Sequence, residues 1–190
     1  MSPAKACRKR RSTIIPVAAV VLLLWCVPGS FAQPHAVYEY ELKAAVLYKI
    51  VKYVDWPAVS FENTDDTYIL YILGEDPFGD MIQAYENRSI NDKKLEIRRA
   101  RRVSDIGPCH MLFIGSSEEK NLPSILNAIQ HRNILTVGDM EEFAHRGGII
   151  NFVLKQNRIT FEINLQNAKD AGLQINAKLL RLATIVDRKK

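Results

Sequence analysis

The spacing of apolar residues along the chain changes between a helical pattern and a strand-like pattern. In residues 38–55 an apolar stripe recurs at helical spacing, formed by Leu42, Val46, Ile50 and Val54. The lysines of this segment lie away from that stripe, at Lys43, Lys49 and Lys52. Because the residue before a proline avoids the helical region, Pro57 is expected to end the segment. The pattern therefore predicts an amphipathic helix whose lysines face solvent.

Short apolar runs with few charges follow this helix and predict buried strands. They cover residues 67–74, 110–115 and 133–139, and a more polar strand is predicted at 95–103. IINFVLK and RITFEINL, joined across Gln156-Asn157, alternate in the manner of a hairpin with one buried face. Helices are predicted between these strands at 79–86, after a cap at Ser116 or Ser117, in MEEFAHRGG, in QNAKDAG, and over 177–187 with Asn176 as the cap.

This order of elements predicts the fold class. Strands that alternate with helices and end in a hairpin are typical of a single-domain α/β three-layer sandwich. We expect a mixed, mostly parallel sheet of about six strands, a C-terminal hairpin and about five helices. No internal repeat or linker divides residues 33–190.

The N-terminal segment has the pattern of a secretory signal peptide. Residues 1–12 carry five basic side chains and no acid, and residues 14–28 are apolar but interrupted by Pro16. Ser30 and Ala32 stand at positions −3 and −1 of a cleavage site before Gln33. We therefore predict a signal peptide over 1–32 and a periplasmic domain over 33–190, with an uncleaved anchor as the main alternative.

Cleavage at that site changes the charge and the cysteine count of the protein. Of the 26 Lys and Arg, five lie in the signal peptide, so 26 minus 5, or 21, remain against 21 Asp and Glu. The resulting net charge of zero argues against a nucleic-acid-binding protein. Cys7 and Cys26 are lost as well, which leaves Cys109 unpaired and no disulfide within the chain.

The motifs that carry enzymatic chemistry are weak or missing, so no catalytic residue, metal site or cofactor is predicted. GEDPFG (74–79) lacks GK[ST] and carries two acids, which favours a structural turn over a phosphate loop. The serines of IGSSEE lack a G-x-S-x-G elbow. The four histidines (His35, His110, His131 and His145) never reach metal-ligand spacing. RRARR (98–102) is interpreted as a basic sheet edge, with a site for an acidic partner as the alternative.

Polar residues near the C-terminus are the better candidates for recognition. If the apolar residues of FEINL face the core, Glu162 and Asn164 look outwards together. Lys178 and Arg181 are three residues apart and are neighbours on the last predicted helix. A solvated surface and a recognition surface explain this pattern equally well.

Several segments resemble one family of bacterial periplasmic proteins. ELKAAVLYKIVKYVDWP and ILTVGDMEEFAHRGGIINFVLKQNRITFEINLQNAKDAGLQINAKLLRLA are the most specific, and ILGEDPFGD and HMLFIGSSE add to them. Together they are similar to the YfiR family over most of residues 39–184. The resemblance implies an α/β domain that pairs into dimers and has no enzymatic activity. It also implies that the protein binds the periplasmic part of a membrane diguanylate cyclase and represses it, which lowers cyclic di-GMP and biofilm formation.

The resemblance implies further partners and one departure. In the best-known arrangement, an outer-membrane lipoprotein captures the repressor and relieves the block. Family members use disulfides for stability and redox control, whereas here Cys109 can only link two protomers or remain a buried thiol.

The resemblance also directs attention to particular residues. We expect partner contact from the last helix, at Leu179, Arg181 and Leu182. Trp56, Glu162, Asn164 and Lys178 are expected to contact a ligand or partner. In KYVDWPA, Pro57 stops the helix and Trp56 covers its end against the sheet, with an aromatic contact for a partner as the alternative. A stand-alone small-molecule sensor and an unrecognised hydrolase are the competing functional hypotheses.

Overall fold

The computed structural model describes residues 34–62, 64, 66–156 and 158–189, with side chains from residue 38 onwards. The predicted signal peptide lies outside these ranges. Within them, no helix has both the length and the apolar character needed to span a membrane.

The fold is a mixed α/β domain, which confirms the predicted class. Its helices are α1 (Pro34–Ile50), α2 (Asp80–Gln83), α3 (Leu122–Ala128), α4 (Leu165–Asp170) and α5 (Ala177–Leu180). Its strands are β1 (Val54–Asp55), β2 (Tyr68–Leu73), β3 (Ser89–Ile90), β4 (Lys93–Ala100), β5 (Met111–Ile114), β6 (Leu135–Gly138), β7 (Ile150–Lys155), β8 (Arg158–Ile163), β9 (Gln174–Ile175) and β10 (Thr184–Ile185).

Eight of these strands form one mostly parallel sheet in the order β10-β8-β7-β6-β5-β2-β4-β3. Strand β7 turns back into β8 as the predicted antiparallel hairpin, and β3 runs antiparallel to β4. The sheet is wider than the predicted six strands because a two-residue strand extends each edge. Strands β1 and β9 form a separate antiparallel pair, with Val54 opposite Ile175.

Apolar side chains cover both faces of the sheet, which makes the domain three layers thick. Along β2, Leu70 and Ile72 pack in one cluster with α1, whereas Ile69 and Leu73 pack in a second cluster with α3. This alternation follows from the two-residue period of a strand. A strand buried on both faces is a continuous apolar run, which explains why YILYIL could be recognised in the sequence.

The buried face of α1 differs from the predicted stripe. Ala44, Leu47 and Ile50 are buried, whereas Leu42 is exposed. Lys43, predicted to face solvent, is only 4% exposed. Its ammonium group lies 2.6 Å from Glu39 and 2.7 Å from Asp139, and the charge is tolerated inside because these carboxylates compensate it.

Three predicted helices also differ from the structure. Residues 116–121 form a 3-10 helix with no side-chain cap, and Ser117 instead accepts a hydrogen bond from the Glu75 N–H. MEEFAHRGG forms successive turns rather than a helix. The last helix, α5, has one turn and is followed by β10, because the β-branched residues Thr184 and Ile185 pair with β8.

Candidate functional site

The best candidate for a recognition surface is formed by α5 and β10. We call Lys178, Arg181, Leu182 and Ile185 the C-terminal patch. Leu182 is 71% exposed and Ile185 is 46% exposed, and both are large apolar side chains. Lys178 and Arg181 are exposed beside them, and neither has a carboxylate partner within the described ranges.

Local structure fixes the position of this patch. The Asn176 side chain caps α5 by accepting a hydrogen bond from the Lys178 N–H at 2.9 Å, as predicted. Strand β10 pairs with β8 on one side, with Thr184 opposite Glu162. On its other side β10 has no partner strand among the described residues. An open strand edge next to exposed apolar side chains is a surface that another protein can pair with.

Leu179 does not belong to this surface, contrary to its predicted role in partner contact. It is 4% exposed and packs in the apolar cluster on the α1 side of the sheet. A one-turn helix has one inward face, and Leu179 occupies it while Lys178 and Arg181 point to solvent. Leu179 is therefore a core residue.

Asn164 also lies inside the protein, contrary to the prediction that it faces outwards with Glu162. It is 0% exposed, because β8 ends at Ile163 and Asn164 becomes the cap of α4. Its side-chain oxygen accepts from the Asn167 N–H, and its amide donates to the Ala144 carbonyl, both at 3.0 Å. Glu162 remains partly exposed and accepts from the Asn151 amide at 3.3 Å.

Trp56 lies directly after β1, whose partner strand β9 leads into α5. The indole is half-buried, and its N–H donates to the His110 carbonyl at 3.1 Å. Its ring packs 5.6 Å from the ring of Tyr68. Trp56 packs against the sheet, but the predicted helix end was wrong: α1 ends at Ile50, and a 3-10 turn and β1 follow before Trp56. Pro57 therefore does not end the helix, because the chain has already entered β1. Whether the exposed part of Trp56 touches a partner stays a prediction.

His110, beneath Trp56, is a structural residue. Its Nδ1 accepts from the Ile69 N–H at 3.1 Å, and its ring lies 4.4 Å from the ring of Phe61. Burial lowers the pKa of His110 to about 4, so the ring is neutral at pH 7. No cluster of three or more His, Cys, Asp or Glu suited to a metal occurs in the part of the chain that the structure describes.

Cys109 is a buried free thiol. Burial raises the pKa of this thiol to about 12, so it carries no reactive thiolate at pH 7. The structure thus favours the buried-thiol interpretation of Cys109 over a link between protomers.

GEDPFG forms a structural turn, as predicted. Asp76 accepts hydrogen bonds from the Phe78 and Gly79 N–H groups, at 2.8 and 3.2 Å. The crevice where β2 and β5 end is closed, since a Cβ atom at Gly74 would meet Ser117 Oγ at 2.4 Å. Parallel sheets often bind ligands at such a point, but here side chains fill it.

The RRARR run covers the end of β4, beyond the two residues that pair with β3, and the turn that follows it. The predicted strand therefore holds only as far as Ala100. Three of its four arginines are paired with nearby acids: Arg98 with Glu96, Arg99 with Asp76 and Arg102 with Asp105. This local neutralisation favours an edge that resists pairing over a site for an acidic partner.

Sequence reasoning missed Ile185, an exposed member of the C-terminal patch. The signal that could have identified it is the β-branched pair at 184–185, which is poor in a helix and good in a strand. It also missed Asp139, which binds both Lys43 and the Tyr40 hydroxyl, the latter at 2.9 Å. No local pattern connects residues so far apart in sequence.

Two solved structures share the fold. A conserved domain protein from Vibrio cholerae matches with a TM-score of 0.53 and 10% identity, covering 78% of this chain and 60% of its own. An ABC domain from Streptococcus pneumonia, solved in complex with L-Trp, matches with a TM-score of 0.52 and 10% identity, covering 75% of this chain and 60% of its own. The chain thus spans 60% of the length of each.

A family model described as YfiR/HmsC-like matches residues 40–184, which include α5, most of α1 and the start of β10. The chain therefore belongs to the YfiR/HmsC-like family.

Proposed function

We propose that this protein represses an inner-membrane diguanylate cyclase by binding its periplasmic domain through the C-terminal patch. Residues 1–32 act as a cleaved signal peptide that directs residues 33–190 to the periplasm. Binding favours the inactive state of the cyclase, so cytoplasmic cyclic di-GMP and biofilm formation fall. An outer-membrane lipoprotein that captures the protein relieves the repression.

The observation that carries this proposal is the exposure of Leu182 at an open strand edge. Among the described residues, Leu182 is the most exposed large apolar side chain, at 71%, and Arg181 precedes it. Interfaces are commonly organised around apolar anchors with charged residues at the rim. Lys178 and Arg181 provide such a rim and favour a partner surface that carries carboxylates.

The other predicted contact residues differ in exposure, so only some of them can touch a partner. Glu162 stays a candidate because it is partly exposed and lies opposite Thr184 of β10. Trp56 stays a candidate through its exposed part. Leu179 and Asn164 support the surface from inside rather than touch a partner. The pairing of two copies of this chain stays a prediction from the family resemblance.

The test measures intracellular cyclic di-GMP in the native host after deletion of the gene and after its restoration. Deletion should raise cyclic di-GMP, and the wild-type gene should reverse the rise. Leu182→Glu should fail to reverse it, because a carboxylate in the centre of the patch must be desolvated on binding. Leu154→Glu is the matched control, since Leu154 is 50% exposed near the turn of the β7–β8 hairpin.

The outcomes separate the hypotheses. If the Leu182→Glu variant still represses the cyclase, the contact surface lies outside the C-terminal patch. No change in cyclic di-GMP on deletion, with the cyclase expressed, would refute repression and favour the small-molecule sensor. Both variants should be present in periplasmic extracts at the wild-type level, which shows that they are exported and folded.

A further inference from the structure

A groove of about 860 Å³ lies beside α3 and α4. Its walls are the end of α3 and the following turn, the loop at 145–147, α4, and residues 188–189. Small-molecule sites in proteins have volumes of roughly 300–1,000 Å³. None of the four patch residues lines this groove, so it is a separate feature of the surface.

The floor of the groove is apolar. Ile129, Ile134 and Ile149 contribute to it and are each at least nine-tenths buried. Thr136 adds one polar group: its hydroxyl oxygen accepts from the Ile149 N–H at 3.0 Å. No described residue accepts the proton of that hydroxyl, which leaves it available as a donor.

The rim of the groove is cationic, with four Arg or Lys residues against the single acid Asp170. Two of the four are already neutralised, Arg146 by Glu119 and Lys189 by Glu142. The two others have no carboxylate partner among the described residues. They are Arg132, which donates only to the backbone carbonyls of Ile106 and Gly107, and Arg188.

The position of Arg188 is fixed by its neighbours in the chain. His145 Nδ1 lies 2.8 Å from the Asp187 carbonyl, and the Lys189 N–H donates to the His145 carbonyl at 3.0 Å. These two hydrogen bonds hold the segment that carries Arg188 against the rim. The backbone of Arg188 is thereby held in place, which reduces the entropy lost when this segment binds an anion.

We propose that this groove binds a small organic phosphate. Arg132 and Arg188 bind the phosphate, because the planar guanidinium group matches phosphate geometry and two of them balance a dianion. The Thr136 hydroxyl offers a further donor, and the isoleucine floor contacts a compact apolar body. The positive electrostatic field is confined to the groove, because 21 basic and 21 acidic residues balance over residues 33–190. An extended polyanion such as a nucleic acid is therefore not favoured as a ligand.

The test uses phenyl phosphate as the probe and phenol as its uncharged match. The purified protein is titrated in low-salt buffer by calorimetry and by NMR of the histidine ring signals. Saturable binding should shift His131 and His145, which line the groove, and should leave the buried His110 unchanged. Arg188→Gln should weaken binding by about tenfold, the usual effect of losing a charge-assisted hydrogen bond.

Arg101→Gln is the matched control, because Arg101 is also exposed and without a described partner but lies outside the groove. Binding should survive this change. Phosphatidylglycerol vesicles distinguish the two sources of the phosphate. If the vesicles retain the protein and phenyl phosphate releases it, the ligand is a lipid headgroup. If the vesicles do not retain the protein, the ligand is a free metabolite. The proposal is overturned if phenyl phosphate binds no better than phenol, or if the two arginine variants lose affinity equally.

Discussion

Leu179 and Leu182 are three residues apart and differ almost completely in burial, so one substitution at each position separates a core role from a surface role. Leu→Ala removes three carbon atoms, and at about 0.8 kcal/mol per buried carbon the transfer cost for Leu179 is about 2.4 kcal/mol. The cavity left in the cluster brings the total loss of stability to about 3 kcal/mol. Leu182→Ala should change stability by less than about 0.5 kcal/mol, because Leu182 is already in water.

Urea denaturation of both purified variants, followed by circular dichroism, measures these free energies. The same variants are then tested for reversal of the cyclic di-GMP rise in the deletion strain. Leu182→Ala should be stable but impaired in repression, whereas Leu179→Ala should lose repression only in proportion to its unfolded fraction. A loss below about 1 kcal/mol for Leu179→Ala would refute its placement in the core. Equal destabilisation by both variants would refute the one-turn geometry of α5.

Three further predictions concern the interior. Lys43→Met leaves the buried Asp139 without its cation and should cost about 3 kcal/mol in urea denaturation, whereas adding Asp139→Asn should recover part of that loss. Gly148→Ala should cost about 1–3 kcal/mol, measured as a lower Tm, because the new Cβ would meet the Phe143 ring at 2.1 Å. Between pH 6.5 and 4, His110 is protonated in the unfolded chain but neutral in the folded protein, because burial lowers its pKa to about 4. Stability should therefore fall by up to about 3 kcal/mol as the pH drops through this window, and His110→Leu should flatten that fall; an unchanged slope would contradict the assignment.

The strands could be predicted from sequence because each buried one is a short, nearly continuous apolar run. The face of α1 could not, because burial of Lys43 depends on Asp139, which follows β6 in the chain. Periodicity records only how a residue relates to its neighbours on the same element. An ion pair between distant segments does not affect the periodicity, so Lys43 was predicted to face solvent although it is buried.

The segment predicted to contact a partner does carry exposed residues, and its role in contact stays a prediction. Two details of the prediction were wrong. The last helix was predicted too long, and this placed Leu179 on the surface. Asn164 was misplaced for a related reason: strand alternation was extended one residue past the end of β8. The ends of elements depend on capping and pairing, which a hydrophobic pattern does not report.

The pairing of β1 with β9 has a consequence for how the domain is completed. Val54 and Ile175 are in register although 121 residues separate them, by subtraction of their numbers. Closing a loop of this length costs conformational entropy, so we expect this pairing to form after the local elements between the two strands. Because the chain is synthesised from its N-terminus, Val54 cannot pair until Ile175 has been made. The C-terminal patch follows β9 in the chain, so a chain that stops at residue 175 lacks every side chain of the patch.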